Sequence, residues 1–347
     1  MNFASDNTSG IAPEILEALA RANHGTASSY GEDEITAHLE RNFAEIFETE
    51  VTVFPVATGT AANALALATL TPAWGAILCH QESHIFTNEA NAPEFFTGGA
   101  KLVPLPGANG KLDAATVATQ LPGGLGSVHY PQPSIISLTQ STEAGTVYRP
   151  AEIAAIAEVG RPHGLSLHMD GARFANAVAF LDGATPADIT WRAGVDVLTF
   201  GATKNGAMAA EAVVFFGSRA QARAAAHEFG FRRKRGGHLW SKLRFLSAQL
   251  EAYLVDGLWL RNAYRANRAA ARLAEGLRQI PSVALLYPVE ANEVFVQMPE
   301  ETIRALEDSG FGILRWDDGS IRLVTSFDTA DADVDALLEI AAQGQRA

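Results

Sequence analysis

The chain has 347 residues, 48% of them hydrophobic, and a formal charge of −13 at pH 7. That length suits one large and one small domain with ample core, and so acidic a balance excludes nucleic acid or an anionic membrane as the main partner, since both need clustered Lys and Arg. The single cysteine, Cys79, set in Ala76-Ile-Leu-Cys79, excludes a disulfide framework or a thiolate metal site and reads as a core thiol.

At the amino-terminus, Met1-Asn-Phe-Ala-Ser-Asp6 lacks a basic start followed by an apolar stretch, and no later segment approaches an uncharged run of about 18 apolar residues, so a cytoplasmic protein is expected. Apolar runs then alternate with helical patterns. A strand over 51–56 leads into a helix over 59–70; strands follow at 76–79 and 101–105, a helix at 112–121, a strand at 134–138 and a helix at 151–162. Further strands at 165–169, 195–200 and 212–216 complete a sheet predicted to be mostly parallel and covered on both faces. Ligands of such sheets sit at the carboxyl ends of strands.

The stretch 239–280 reads as helical with a bend at Asp256-Gly257, and the domain boundary is placed there: a large domain over 1–255 with an amino-terminal arm, and a small α/β domain over 256–347. The small domain has strand candidates at 283–287, 294–297, 312–314 and 321–325 and helices at 301–309 and 331–342. The one dense basic stretch, Phe231-Arg-Arg-Lys-Arg235, is either a solvated loop or a subunit contact or anion site.

Lys204 lies where the run from Val195 empties into the Gly/Thr-rich turn Gly201-Ala-Thr-Lys-Asn-Gly206, and Asp170 ends the run Leu165-Ser-Leu-His-Met-Asp170. A buried amine and a buried carboxylate, each at a strand end, are what a protein needs to hold pyridoxal phosphate through a Schiff base and through its pyridine nitrogen. The plainer readings are a surface lysine and a helix N-cap aspartate. Gly59 and Thr60 open a helix after a small-residue turn, where amides, hydroxyl and dipole suit a phosphate. His84 follows another strand end and offers a flat ring for stacking, whereas His80 and His168 read as ordinary structural histidines without metal-ligand spacing. Arg173 and Arg322 are candidates for gripping a substrate carboxylate, although Arg322 also fits an outward position on an alternating strand.

Taken in order, these motifs resemble the threonine aldolases, which have the aspartate-aminotransferase fold (fold type I), and within them the low-specificity L-threonine and phenylserine aldolases. The likeness runs through Ser5-Asp-Asn7, Tyr30-Gly-Glu-Asp33, Gly59-Thr60, Ser83-His84, Ala92-Pro-Glu-Phe95, the segment 142–148, His168-Met-Asp-Gly-Ala-Arg173, Thr203-Lys-Asn205 and Arg322-Leu-Val-Thr325. The resemblance implies that Lys204 carries pyridoxal 5'-phosphate, that Asp170 pairs with its ring nitrogen, that Gly59 and Thr60 hold its phosphate with Thr203 beside the lysine, and that His84 stacks on the ring. Ser5, Arg173 and Arg322 would bind the substrate carboxylate. It further implies a homotetramer, a dimer of dimers, in which Tyr30 and the segment near Arg235 meet a neighbouring chain.

Two departures stand out. Where the family has a histidine beside the substrate hydroxyl, this chain has Thr142-Glu-Ala-Gly145, which brings forward Glu143, with His129 as a stand-in. The family's phosphate-contacting arginine falls near Trp240, making Lys242 the substitute. The expected activity is cleavage of L-threonine, L-allo-threonine or phenylserine to glycine and an aldehyde, with His84 as the base at the hydroxyl. Its rivals are a β-eliminating lyase or an aminotransferase on the same fold, and a noncatalytic binding protein.

Overall fold

The computed structural model describes residues 1–121, 124–217 and 220–343. Seven strands build the main sheet: β1 (Val51–Val56), β2 (Gly75–His80), β3 (Lys101–Leu105), β4 (Gln132–Thr139), β5 (Ser166–Gly171), β6 (Val197–Gly201) and β7 (Glu211–Phe216). Their order is β1-β7-β6-β5-β4-β2-β3, with β7 antiparallel to both neighbours and every other pairing parallel. The predicted mostly parallel sheet is therefore present.

Every residue of β2, β5, β6 and β7 is buried, which explains why these strands read as unbroken apolar runs: helices cover both faces. Alternation along β7 divides the core. Val214 and Phe216 point to one face, where Phe43, Phe47, Phe174, Phe200 and Trp259 interlock, Phe43 meeting Phe200 edge-on at 5.1 Å between ring centroids. Val213 and Phe215 point to the other, against Ala62, Leu65 and Ala66 of the helix Gly59–Leu70 and Phe229 of the helix Ala220–Arg235. Each ring wholly buried in this way contributes on the order of 2–3 kcal/mol. The basic stretch 231–235, for which a solvated loop was one of the alternatives, is the last turn of that second helix, where positive charge faces the negative end of the helix dipole.

A second, antiparallel sheet has the order β10-β11-β9-β8, from β8 (Ala284–Leu285), β9 (Glu293–Gln297), β10 (Leu314–Arg315) and β11 (Ile321–Val324). The helices Glu300–Asp308 and Asp331–Gln343 pack on it; residues 344–347 of the expected small domain lie outside the described residues. In place of a strand at 312–314, the short β10 begins at Leu314, and Gly312 bridges Asn2. Phe3 is buried in the core of this second sheet with its ring 6.0 Å from that of Phe311. The amino-terminal arm thus packs against the carboxyl-terminal sheet, a docking that one aromatic in a short polar segment does not announce.

The helical stretch divides into Arg244–Leu254 and Leu258–Arg278, with Asp256 (φ 52°) and Gly257 (φ 67°) left-handed between them. Trp259 and Ala263 pack in the large core while Ala269, Leu273 and Leu277 pack in the small one. Asp256-Gly257 is a bend, and the change of core falls within the second helix. Among the described residues no helix is long and apolar enough to cross a membrane.

Candidate active site

Strand directions put the carboxyl ends of β1 to β6 and the amino end of β7 on one edge of the sheet. A cavity of about 420 Å³ opens there, lined among others by Gly59, Thr60, His84, Asp170, Arg173 and Lys204. A second, of about 500 Å³, shares His84, Glu143, Arg173 and Lys204 with it and runs out to Ser5 and Arg322.

Lys204 sits on the tight turn Thr203–Asn205 just after β6. Asn205 fixes that turn, its Nδ2 donating to the Tyr253 hydroxyl at 2.6 Å and the Trp259 carbonyl at 2.8 Å, while Asn262 donates to the Asn205 carbonyl at 3.0 Å. Gly206 closes it at φ 116°, where a Cβ would stand 3.0 Å from both Ala12 and Asn262. Thr203, whose hydroxyl accepts from the Ala210 amide at 3.2 Å, ties the turn to the start of β7 and lines the first cavity.

Asp170, buried at the end of β5, accepts from Asn63 Nδ2 at 2.8 Å on one oxygen and from the Ala172 amide at 3.0 Å on the other. It does not cap the following helix, whose N-cap is Arg173. Asn63 is the hub of a wider network. Its Oδ1 accepts from Thr199 at 2.8 Å, and its Nδ2 also donates at 2.9 Å to Glu89, whose Oε1 lies 2.8 Å from His84 Nδ1.

This bond with Glu89, more than anything else, raises the His84 pKa above the ordinary histidine range; burial opposes the rise, and Asp170 and Glu143 add to it. Burial pushes the Glu89 carboxyl up despite its contacts with His84 and Asn63. Glu143 accepts the His84 backbone amide at 3.2 Å, and burial followed by the charge of Asp170 raises its pKa as well. Three carboxyl groups therefore crowd one imidazole.

Arg173 binds Asp6 in bidentate fashion, Nε to Oδ2 at 2.8 Å and Nη2 to Oδ1 at 3.0 Å, and Asn292 adds a third contact to Asp6 at 3.0 Å. Glu293 Oε1 lies 3.3 Å from Arg173 Nη1 and 3.5 Å from Arg322 Nη1. Arg322 also donates to the Ala4 carbonyl at 3.2 Å, while its buried Nε has no partner among the described residues. Burial works against the Asp6 charge, but Arg173 and Lys204 outweigh it and hold the carboxyl below its ordinary range. For Glu293 burial prevails over both arginines and the pKa is raised.

Three expected residues stay outside both cavities of this chain. His129 is exposed just before β4 begins, at the edge of the sheet opposite the cavity, so it is no stand-in for a base within its own protomer. Lys242 is exposed and does not line the cavity with Gly59 and Thr60. Tyr30 meets the basic segment within the same chain, with Lys234 4.5 Å above its ring and its amide on the Ser241 carbonyl. Conversely, Asp6, Asn63, Glu89 and Glu293 belong to the site and were not singled out in the sequence. For Asn63 the available signal was a lone amide in the apolar run Gly59–Leu70, and for Glu89 a carboxylate five residues after His84.

A family model described as β-eliminating lyase matches residues 2–301. The chain is 46% identical over 333 residues to the low specificity L-threonine aldolase of Pseudomonas sp. strain NCIMB 10558, covering 96% of this chain and 94% of that protein. It is equally 46% identical over 340 residues to the enzyme of that description from Pseudomonas aeruginosa, with 98% and 95% covered. Among solved structures, the threonine aldolase of Leishmania major superposes with a TM-score of 0.91 at 30% identity, covering 99% of this chain and 98% of that one.

Proposed function

Since this chain belongs to the β-eliminating lyase family, a pyridoxal-phosphate-dependent family, and has the fold type I architecture, we propose that it is a low-specificity threonine aldolase. It is an aldehyde-lyase that cleaves L-threonine, L-allo-threonine and related β-hydroxy-α-amino acids such as phenylserine to glycine and an aldehyde. The observation that carries this reading is the 46% identity with two such enzymes along nearly the whole of both chains.

The residues present fit pyridoxal phosphate. The Lys204 amine and the Asp170 carboxylate line one cavity with the start of the 12-residue helix Gly59–Leu70, and the buried Ser141 hydroxyl, which has no partner among the described residues, lines the same space. When bound, the cofactor supplies an electron-accepting ring that stabilises negative charge at the substrate Cα. Lys204 is the residue to carry it, and Asp170, aligned by Asn63 and the Ala172 amide, is the one to keep a proton on its ring nitrogen. The first amides of a helix have no intrahelical acceptor, so those at Gly59 and Thr60 suit its phosphate.

Arg173, Arg322 and Ser5, which line the second cavity, hold the substrate carboxylate there. His84, whose Nδ1 is turned to Glu89, presents Nε2 to take the β-hydroxyl proton as the Cα–Cβ bond parts and the β-oxygen becomes the carbonyl of the leaving aldehyde. Glu143, lining both cavities, shapes the space beside that oxygen. Assembly as a homotetramer in the cytoplasm belongs to the same proposal, supported by the strongly exposed rings of Phe95 and Phe231, 78% and 69% accessible in the single chain.

The test is to incubate the purified holoprotein with L-threonine, L-allo-threonine and phenylserine. Glycine and the matching aldehyde in equal amounts are expected. A 2-oxo acid and ammonia in their place would overturn the reading.

A further inference from the structure

Glu293 stands in an unusual place, its side chain wholly buried at the start of β9 with one oxygen between the two guanidinium groups assigned above to the substrate carboxylate. The contact differs from the one on the other side of Arg173. Asp6 makes two aligned hydrogen bonds at 2.8 and 3.0 Å, whereas Glu293 lies at 3.3 and 3.5 Å from its arginines, with no aligned hydrogen bond to either oxygen among the described residues. One carboxylate is locked in place; the other bridges loosely.

Charge counting gives the consequence. Asp6 and Glu293 together balance Arg173 and Arg322, so a substrate carboxylate arriving at the same guanidinium groups is a third negative charge in a buried cluster. Uncompensated charge in such a setting is costly, and a group that can neutralise itself by binding a proton does so. The groups facing Glu293 are Arg173 from the turn after β5, Arg322 of β11, Asp6 of the amino-terminal segment and Glu143 from the loop after β4. Asp6 is held ionised by its aligned pair with Arg173, and of the other two carboxyl groups it is Glu293, not Glu143, that sits on both guanidinium groups, so Glu293 is the one a substrate carboxylate displaces.

We propose that substrate binding is coupled to protonation of Glu293: the side chain bridges Arg173 and Arg322 as a carboxylate in the free enzyme, and takes a proton from solvent when the substrate carboxylate replaces it on the two guanidinium groups. The inference rests on the reading of Arg173 and Arg322 as the carboxylate ligands. Glu293 touches neither reacting bond and acts through the arginines, as a positioning residue.

The probe is 3-hydroxybutanoate, threonine without its amine, titrated into the holoenzyme by calorimetry in buffers of different ionisation enthalpy between about pH 6 and about pH 9. Uptake rising with pH toward about one proton per ligand is expected, with affinity falling as the pH rises; Glu293→Gln should bind with neither uptake nor pH dependence. No uptake by the wild-type protein at any pH, or uptake that persists in Glu293→Gln, overturns the proposal. Threonine cleavage by the same preparation separates this failure from a failure of the aldolase reading.

Discussion

His84 and Glu89 share a hydrogen bond of 2.8 Å between Nδ1 and Oε1, and the carboxylate that makes it is wholly buried while the imidazole reaches the cavity. The bond fixes which ring nitrogen meets the substrate and is the largest contribution to the raised His84 pKa. A base with a raised pKa loses its neutral form sooner as the pH falls, so the acidic limb of kcat/KM lies above the ordinary histidine range. Glu89→Gln replaces the carboxylate acceptor of that bond with a neutral amide. The limb should move to lower pH and kcat should fall roughly tenfold, as pH–rate profiles of the two proteins would reveal; an unmoved limb would assign it to another group.

Asp170→Asn keeps a side chain of the same shape at the end of β5 but gives up the carboxylate that Asn63 and the Ala172 amide align. Cleavage should drop on the order of a hundredfold or more, with a thermal midpoint close to that of the wild type. Near-normal glycine release would mean that Asp170 serves the fold alone.

Asp6 ties the amino-terminal segment to Arg173 through two hydrogen bonds and meets Asn292 beside the small sheet. Breaking a buried pair strands its partner's charge, so Asp6→Ala should cost about 3–5 kcal/mol in denaturant unfolding. Because the folded-state pKa of Asp6 lies below the ordinary 3.8, its contribution is present above that value and is lost as the pH falls through the lower one. The variant should therefore lack part of the wild-type loss of stability in acid.

His168, buried in β5 with Nδ1 2.9 Å from the Ser137 hydroxyl, has its pKa lowered by burial from 6.5 to about 4. Here the unfolded chain is the better proton acceptor. Stability should decline as the pH drops from the ordinary histidine value toward the folded one, by up to roughly 3 kcal/mol. His168→Gln should flatten that slope in thermal melts taken across the window.

Much of this was legible in the sequence, for definite reasons. Strands covered on both faces read as unbroken apolar runs, and the residues that end them, Asp170 after Met169 and Lys204 after the β6 turn, fall where a parallel sheet opens to ligands. What escaped is what long-range packing decides. Asp6 and Arg173 are separated by 167 positions, Asn63 hides in an otherwise apolar helix, and Glu293 opens the strand β9 without a local clue to the two arginines it meets. His129 precedes the strand predicted at 134–138 and so falls at its amino end, away from the edge where the carboxyl ends open to ligands; at about 3.3 Å per residue, the seven steps from Gln132 to Thr139 put some 23 Å between the two ends of β4 within one chain.

Everything proposed for this site depends on Lys204 being the amine that carries the cofactor. Borohydride reduction of the holoenzyme followed by peptide mapping tests it most directly, since the reduced cofactor stays on the amine that held it. A pyridoxyl group on Lys204 is expected, and a label on Lys101, Lys111, Lys234 or Lys242 with Lys204 unmodified would contradict that assignment.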